Sequence, residues 1–404
     1  MDTENNIKTY DKKSVTGITV KGKKVLLRCD FNVPLDMKTG EITDSSRITA
    51  ALPTINYLLD QGAAVIACSH FGRPKGEFKQ EFSLAPVAKN LSEQLGKPVK
   101  MAKDVIGEDA VKLASELAPG EIMLLENTRF HKEEEKNDPE FSKKLADMAD
   151  IFVSDAFGSV HRAHASTEGV SKYLPAVSGF LLKKELDNLG MAISDPKRPF
   201  VSILGGAKVS DKLGVIGNLL QKADVILIGG GMAYTFYKAK GGTIGDSLCE
   251  DSQIEAVLQT MEEAKKLGVK LLLPSDNAAS PDFSNDHEPV YYESGTIPDG
   301  MMGLDIGPRT IEEYKREVAA AGTIVWNGPM GVFEFPKYAV GTKAIAYAVA
   351  ESGAITVIGG GDSAAAIRQF GLEDKITHIS TGGGASLEFM EGKVLPGIAC
   401  LLDK

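Results

Sequence analysis

Residues Ile355 to Ser363 read Ile-Thr-Val-Ile-Gly-Gly-Gly-Asp-Ser: a β-branched apolar run breaks into three glycines, an acid and a hydroxyl, and the alanine-rich Ala364 to Ile367 follows. The pattern predicts a strand, a bare turn and a helix start. Glycine lets backbone N–H groups approach a ligand without a Cβ in the way, and the first turn of a helix leaves N–H donors unpaired at a positive dipole end. Such a turn suits a phosphate. Asp362 can then cap the helix or face a divalent cation carried by the phosphate, and the Ser363 hydroxyl fits either role. Lys208 and Lys212 follow Gly205-Gly206 at a spacing of four, which predicts both on one helical face aimed at that turn. Glu334, past the turn residues Asn327-Gly328-Pro329, is available to ribose hydroxyls. Any one glycine cluster could serve tight strand-to-helix packing, but four in one half with few arginines are what backbone cradling of a nucleotide would show.

The first half carries different chemistry. Five of the nine arginines (Arg28, Arg47, Arg73, Arg129, Arg162) and four of the six histidines (His70, His131, His161, His164) lie there. Arginine grips carboxylates and phosphates through a bidentate fork, so several converging on one cleft would hold a small phosphorylated carboxylate. Asp30 and Asn32 add acceptors for a hydroxyl. His161-Arg162-Ala163-His164 has no third histidine or cysteine nearby at ligand spacing, so its histidines read as phosphate donors beside Arg162, not as metal ligands. The charge run Lys132-Glu133-Glu134-Glu135-Lys136 reads as a solvated surface.

Such residues need elements that end where they stand. Short apolar runs that stop at polar or glycine-rich residues recur at Val25–Leu27, Ala64–Ala67, Ile122–Leu125 and Ile151–Val153. In the second half they recur at Phe200–Leu204, Val225–Ile228, Lys270–Leu273, Thr323–Trp326, Ile355–Ile358 and Thr377–Ile379. Strands alternating with helices imply parallel sheets with ligand sites beyond the carboxyl ends of the strands. Between the halves, Gly179 to Ser194 has Leu181, Leu182, Leu186 and Leu189 at helical spacing and closes in Asp195-Pro196-Lys197-Arg198-Pro199, a stiff connector. A chain of 404 residues exceeds the usual size of one core, so two domains are expected. Its composition, 43% apolar and 25% charged, is that of a soluble globular protein. The net charge of −10 argues against a general nucleic-acid binder. No run approaches the roughly 18 apolar residues of a membrane span, and the polar start Met-Asp-Thr-Glu-Asn-Asn lacks a signal peptide's apolar segment, so a cytoplasmic location is expected. The four cysteines have no Cys-x-x-Cys pair and read as reduced thiols.

Two common nucleotide motifs, Gly-x-x-x-x-Gly-Lys-Ser/Thr and Gly-x-Gly-x-x-Gly, are absent. Nine other motifs stand in order along the chain: Asp30-Phe31-Asn32-Val33-Pro34, His70-Phe71-Gly72-Arg73-Pro74, Glu126-Asn127-Thr128-Arg129-Phe130, His161-Arg162-Ala163-His164, Gly205-Gly206-Ala207-Lys208-Val209, Gly229-Gly230-Gly231-Met232, Trp326-Asn327-Gly328-Pro329, Gly359-Gly360-Gly361-Asp362 and Thr381-Gly382-Gly383-Gly384-Ala385-Ser386. Together they resemble the phosphoglycerate kinase family over essentially the whole chain. The departures are slight: Phe71 stands where leucine is commoner, and Ser363 where threonine is common.

The resemblance implies an α/β fold of two Rossmann-like three-layer domains with parallel sheets, joined by a linker helix and hinge. It places a phosphoglycerate-binding domain at residues 1–180, a linker helix at 181–199 and a nucleotide-binding domain at 200–392, with residues 393–404 packing back on the first domain. It implies reversible, magnesium-dependent phosphoryl transfer from 1,3-bisphosphoglycerate to ADP, giving 3-phosphoglycerate and ATP, by a monomer that closes about its hinge. Position by position, it implies that Asp30, Phe31, Asn32, Arg47, His70, Phe71, Gly72, Arg73, Arg129 and Arg162 hold the phosphoglycerate. It assigns the nucleotide to Gly206, Ala207, Lys208, Lys212, Gly230, Gly231, Gly303, Leu304, Asn327, Glu334, Gly360, Gly361, Asp362 and Ser363. Magnesium falls to Asp362, with help from Asp211, and the charge of the migrating group to Arg47, Lys208, Gly360 and Gly383. Of the other classes, a nicotinamide-dependent dehydrogenase would want the missing dinucleotide fingerprint. A non-catalytic hinge-bending binding protein would not need a metal-facing acid or two lysines beside a phosphate turn.

Overall fold

The computed structural model describes residues 10–36 and 38–404; the polar lead-in read above lies outside the described residues. The chain forms two compact units, one ending at Asp187 and joined by Val394–Lys404, the other spanning Asn188–Lys393.

In the first unit, Lys24–Arg28 (β1), Ala64–Cys68 (β2), Val99–Met101 (β3), Ile122–Leu124 (β4), Ile151–Ser154 (β5) and Ala176–Ser178 (β6) form a sheet in the order β3-β4-β2-β1-β5-β6. Every pairing is parallel. Strands β2, β4 and β5 are buried along their whole length, as continuous apolar runs between two helical layers must be. The edge strands β3 and β6 carry too little apolar sequence to read as strands: β3 is half-buried with Lys100 at its centre. Chain order reverses about β1, whose neighbours are β2 and β5. Crevices form at the carboxyl ends of strands at such a reversal. The Ser46–Asp60 helix buries Ile48, Ile55 and Leu58 against this sheet, with Val87 and Leu91 of the Ala85–Leu95 helix in the same core.

The second unit repeats the plan. Its strands Phe200–Leu204 (β7), Val225–Ile228 (β8), Thr243–Ile244 (β9), Lys270–Leu272 (β10), Asp276–Ser280 (β11), Val290–Glu293 (β12), Thr296–Ile297 (β13), Met302–Ile306 (β14), Thr323–Asn327 (β15), Ile355–Gly359 (β16) and His378–Ile379 (β17) form three sheets. The main one is parallel, in the order β10-β8-β7-β15-β16-β17, and reverses between β7 and β15. Strands β12-β11-β14 form a small antiparallel sheet, and β13 pairs with β9. Their strands carry no continuous apolar run: β9 and β13 are two residues each, and β11 reads Asp-Asn-Ala-Ala-Ser, so the sequence pattern does not reveal them. Trp326, fully buried, and Ile203, Leu227 and Ile358 fill the core of the main sheet.

The connector is helical from Phe180 to Ser194, with a π turn at Leu186–Gly190, and the change of unit falls inside it, between Asp187 and Asn188. Residues 394–404 lie with the first unit: Leu402 N–H donates to Ala176 O, Lys13 N–H to Leu402 O, and Lys12 pairs with Asp403 at 2.7 Å. Among the described residues no helix is long and apolar enough to cross a membrane. All four cysteines are free.

Candidate active site

In the first unit the loops after β1, β2 and β4 meet at the sheet's reversal point. Asn127 staples two of them: its carbonyl accepts from Phe71 N–H at 3.0 Å and Arg129 N–H at 3.1 Å, while its amide donates to Phe71 O and Phe82 O. Asn32 Oδ1 accepts from Gly72 N–H at 2.9 Å, and Arg129 Nη1 donates to Gly72 O at 2.9 Å. Arg47, second residue of the Ser46–Asp60 helix, is ion-paired with Asp30 at 2.8 Å. Phe31 and Phe71 turn their rings into the core, so only their backbones face the loops. Arg162 is exposed and donates to His161 Nε2 at 3.1 Å, and Arg73 is exposed at the end of its loop.

Charge gathers around two histidines. Burial and the neighbouring Arg28, Arg129, Arg47 and His164 hold His70 well below the usual imidazole range. Burial, then Arg129, Arg28 and Arg162, push His164 down to about 4. Both rings are therefore neutral near pH 7, and the local excess of arginine charge is what an anion would satisfy. Four of the five arginines named from the sequence act on this pair; Arg73 does not. His131 stands apart, paired with Asp104 at 2.6 Å, a contact that raises its pKa. The Arg28 side chain is almost wholly buried and donates to Ser166 Oγ. The charge run is not wholly solvated: Glu134 is fully buried, because the short Lys132–Glu135 helix turns it inward to accept from Ser166 N–H at 2.9 Å.

In the second unit, the turns after β7, β15 and β16 and the Thr381–Gly384 turn enclose a cavity of about 650 Å³. Gly206, Ala207, Lys208, Asp211, Lys212, Asn327, Gly360, Gly361, Asp362, Ser363 and Gly383 all line it. The close approach of turns demands glycine at two points. A Cβ on Gly205 would run into Pro329 O, and Gly360, with φ +90°, would meet Asn327 Nδ2 at 3.0 Å. The helix Gly361–Gln369 opens with no side-chain cap, so its first N–H groups point into the cavity unclaimed by a cap residue. Asp362, in that first turn, is exposed and does not cap. Ser363 is buried, and its hydroxyl accepts from Gly328 N–H at 2.6 Å; it holds two turns together and does not cap the helix. Lys208 and Lys212 do not share a helical face, because the helix begins only at Leu213. They line the cavity from the turn before it, where Lys212 Nζ donates to Asn327 Oδ1 and burial lowers its pKa.

Gly230, Gly231, Gly303, Leu304 and Glu334 do not line this cavity. The Gly230-Gly231 turn abuts the first glycine turn, with Met232 N–H donating to Gly206 O at 3.0 Å. Gly303 packs on Tyr234 of the following helix, Leu304 is buried, and Glu334 is exposed on the loop after β15. Among the described residues no three His, Cys, Asp or Glu side chains gather closely enough to cage a metal. The cavity's two exposed carboxylates, Asp211 and Asp362, fit magnesium in the other way it is commonly held, by one or two protein carboxylates with phosphate oxygens and water completing the shell.

A basic, arginine-rich cluster in one unit and a glycine-walled, lysine-bearing cavity in the other define a phosphotransferase. The phosphoglycerate kinase family model matches residues 15–393. A phosphoglycerate kinase of Clostridium tetani is 59% identical over 398 residues, covering 98% of this chain and 99% of that one. One of Clostridium novyi is 60% identical over 397 residues, with coverage of 98% and 99%. The solved phosphoglycerate kinase of Coxiella burnetii superposes with a TM-score of 0.91 at 44% identity, covering 96% of this chain and 98% of that one. That of Pyrococcus horikoshii gives 0.80 at 36% identity, with the same coverage. This chain belongs to the phosphoglycerate kinase family. It is an enzyme of glycolysis and gluconeogenesis that moves a phosphoryl group reversibly between 1,3-bisphosphoglycerate and ADP, with a carboxyl group as acceptor.

Proposed function

We propose that the basic cluster of the first unit holds 3-phosphoglycerate and that the glycine-walled cavity of the second holds the phosphates of ADP or ATP with magnesium. The observation that carries this is the cavity: uncapped helix N–H groups, Lys208 and Lys212, and the carboxylates of Asp211 and Asp362 are among the groups that line one concave wall of glycine turns. On the substrate side, Arg129, Arg162, His70 and Arg73 take the phosphate or carboxylate, and Asp30 and Asn32 take the hydroxyl. Phe31, Phe71 and Gly72 contribute backbone.

Phosphoryl transfer asks for in-line placement and positive charge around the migrating group. The acceptor is an already ionised carboxylate oxygen, so no general base is needed. Arg47 reaches the migrating phosphoryl from the substrate side and Lys208 from the nucleotide side. The N–H groups at Gly360 and Gly383 receive negative charge as it shifts towards the leaving phosphate. Magnesium held by Asp362, with Asp211, would supply Lewis-acid neutralisation of the phosphates. Because each unit carries one ligand, we propose that transfer follows closure about the Phe180–Ser194 connector, which expels water able to hydrolyse the acyl phosphate. The reading includes a cytoplasmic monomer with no membrane or nucleic-acid partner.

The deciding experiment is a coupled assay with ATP, magnesium and 3-phosphoglycerate, the acyl phosphate being trapped by NADH-linked reduction. Magnesium-dependent NADH oxidation abolished by EDTA is the expected result. No signal while calorimetry still detects nucleotide binding would overturn the acceptor assignment.

A further inference from the structure

Glu134 and Ser166 touch no ligand in the scheme above, yet both are fully buried. The Glu134 carboxylate accepts twice from one residue, from Ser166 N–H at 2.9 Å and from the Ser166 hydroxyl. Ser166 Oγ accepts in turn from Arg28 Nε at 2.9 Å. Arg28, almost wholly buried, donates through Nη1 to Cys29 O, and its Nη2 lies 3.1 Å from His70 Nδ1. An arginine has only donors, so the direction of every bond in this chain is settled. The single serine proton goes to Glu134, and the serine lone pair takes the Arg28 Nε proton. His70 Nδ1 must then accept. A proton on Nδ1 would set two donors head to head.

We infer that Glu134, Ser166 and Arg28 form a buried positioning relay that fixes His70 as a neutral imidazole with its proton on Nε2, a hydrogen-bond donor directed away from the relay. The inference rests on the proposed substrate role of His70 and deepens it. The charged and titratable groups facing the ring (Arg28, Arg129, Arg47 and His164), together with its burial, all oppose a second proton. His70 would therefore meet the phosphoglycerate anion as a donor without taking up a proton, and its contribution would not vary across the ordinary histidine range. A buried arginine with no direct carboxylate partner would be costly; the serine bridge to Glu134 supplies the compensating charge at one remove.

The test is long-range proton–nitrogen NMR of the imidazoles in the full-length, nitrogen-15-labelled protein, with His70→Gln to assign the signal. The wild type should show an unprotonated Nδ1 and a protonated Nε2, unchanged between about pH 6 and pH 8. A proton on Nδ1, an average of tautomers, or an ordinary titration in that range would each overturn the relay. Ser166→Ala should release the ring to a tautomer mixture and raise KM for 3-phosphoglycerate about five-fold, leaving KM for ATP unchanged, with Ser166→Thr restoring both readouts. A Ser166→Ala spectrum identical to wild type would also overturn it, and should that variant fail to fold, the wild-type spectrum decides alone. If the Nε2–H tautomer is present but the signal ignores added 3-phosphoglycerate, the relay stands and the substrate role of His70 falls.

Discussion

Arg47 is held by Asp30 at 2.8 Å, and with 45% of its side chain exposed that ion pair stabilises the fold by at most about 1 kcal/mol. The contact positions the guanidinium at little energetic cost to release. Arg47→Ala should therefore leave stability and nucleotide affinity nearly unchanged and lower kcat by on the order of 10²–10³, as loss of a transition-state donor does. Steady-state kinetics beside nucleotide calorimetry check both halves; a large affinity loss at normal turnover would sink the assignment. Asp362 makes the complementary case. Asp362→Ala should weaken magnesium-nucleotide more than free nucleotide, whereas equal weakening would reduce it to a favourable charge at a helix start. Residue types carried much of this into the sequence, because arginine forks and bare glycine turns after strands suit anions, although Arg28, at the end of β1, serves the buried structure instead. The inward turn of Glu134 was not legible: in a run of five charged residues, three of them glutamates, nothing marks the one that is buried. Nor was the tie of Ser363 to Gly328, which depends on how closely two separate turns approach.

Among the elements, Asp155, just past β5, joins the sheet of the first unit to the connector. Its Oδ1 accepts from Leu181 N–H at 2.8 Å and Leu182 N–H at 3.1 Å, while Thr54, on the helix that carries Arg47, accepts from Phe180 N–H at 3.0 Å. Burial pushes the Asp155 pKa from 3.8 up to about 6. A raised acid pKa means the folded state holds more protons than the unfolded one in that window. The stability contributed is full below about pH 4 and is lost as pH rises through about 6. His164, pushed down to about 4, slopes the other way over the same range, so the comparison must be with a variant. The stability advantage of wild type over Asp155→Asn should shrink by on the order of 3 kcal/mol between about pH 4 and pH 7, measured by urea unfolding. Parallel pH profiles would show that the carboxyl ionises freely. Central strands were legible because burial on both faces makes them continuous apolar runs. The edge strands β3 and β6 were not, since each is only three residues long and β3 has Lys100 at its centre, and the spacing of Lys208 and Lys212 does not say where a helix starts.

For the molecule as a whole, residues 394–404 contribute Leu395, Ile398 and Leu401, each at most 4% exposed, to the unit that ends at Asp187. Burial of such side chains is worth about 1.5–3 kcal/mol each as an upper bound. Removing Val394–Lys404 should lower the stability of that unit by at least about 3 kcal/mol, seen by calorimetry as an earlier transition. A truncated protein that melts like the intact one would contradict the packing. Small-angle scattering addresses the closure proposal: the radius should fall with both ligands present and not with either alone, and an unchanged profile would remove closure from the mechanism.

The same packing orders events during translation. The first unit lacks its closing segment until the whole of Asn188–Lys393 has left the ribosome. Its sheet emerges early, but the surface awaiting Leu395, Ile398 and Leu401 stays open while the second unit is made. Completion of the first unit is therefore timed by the synthesis of the second, and the two cannot finish folding in chain order.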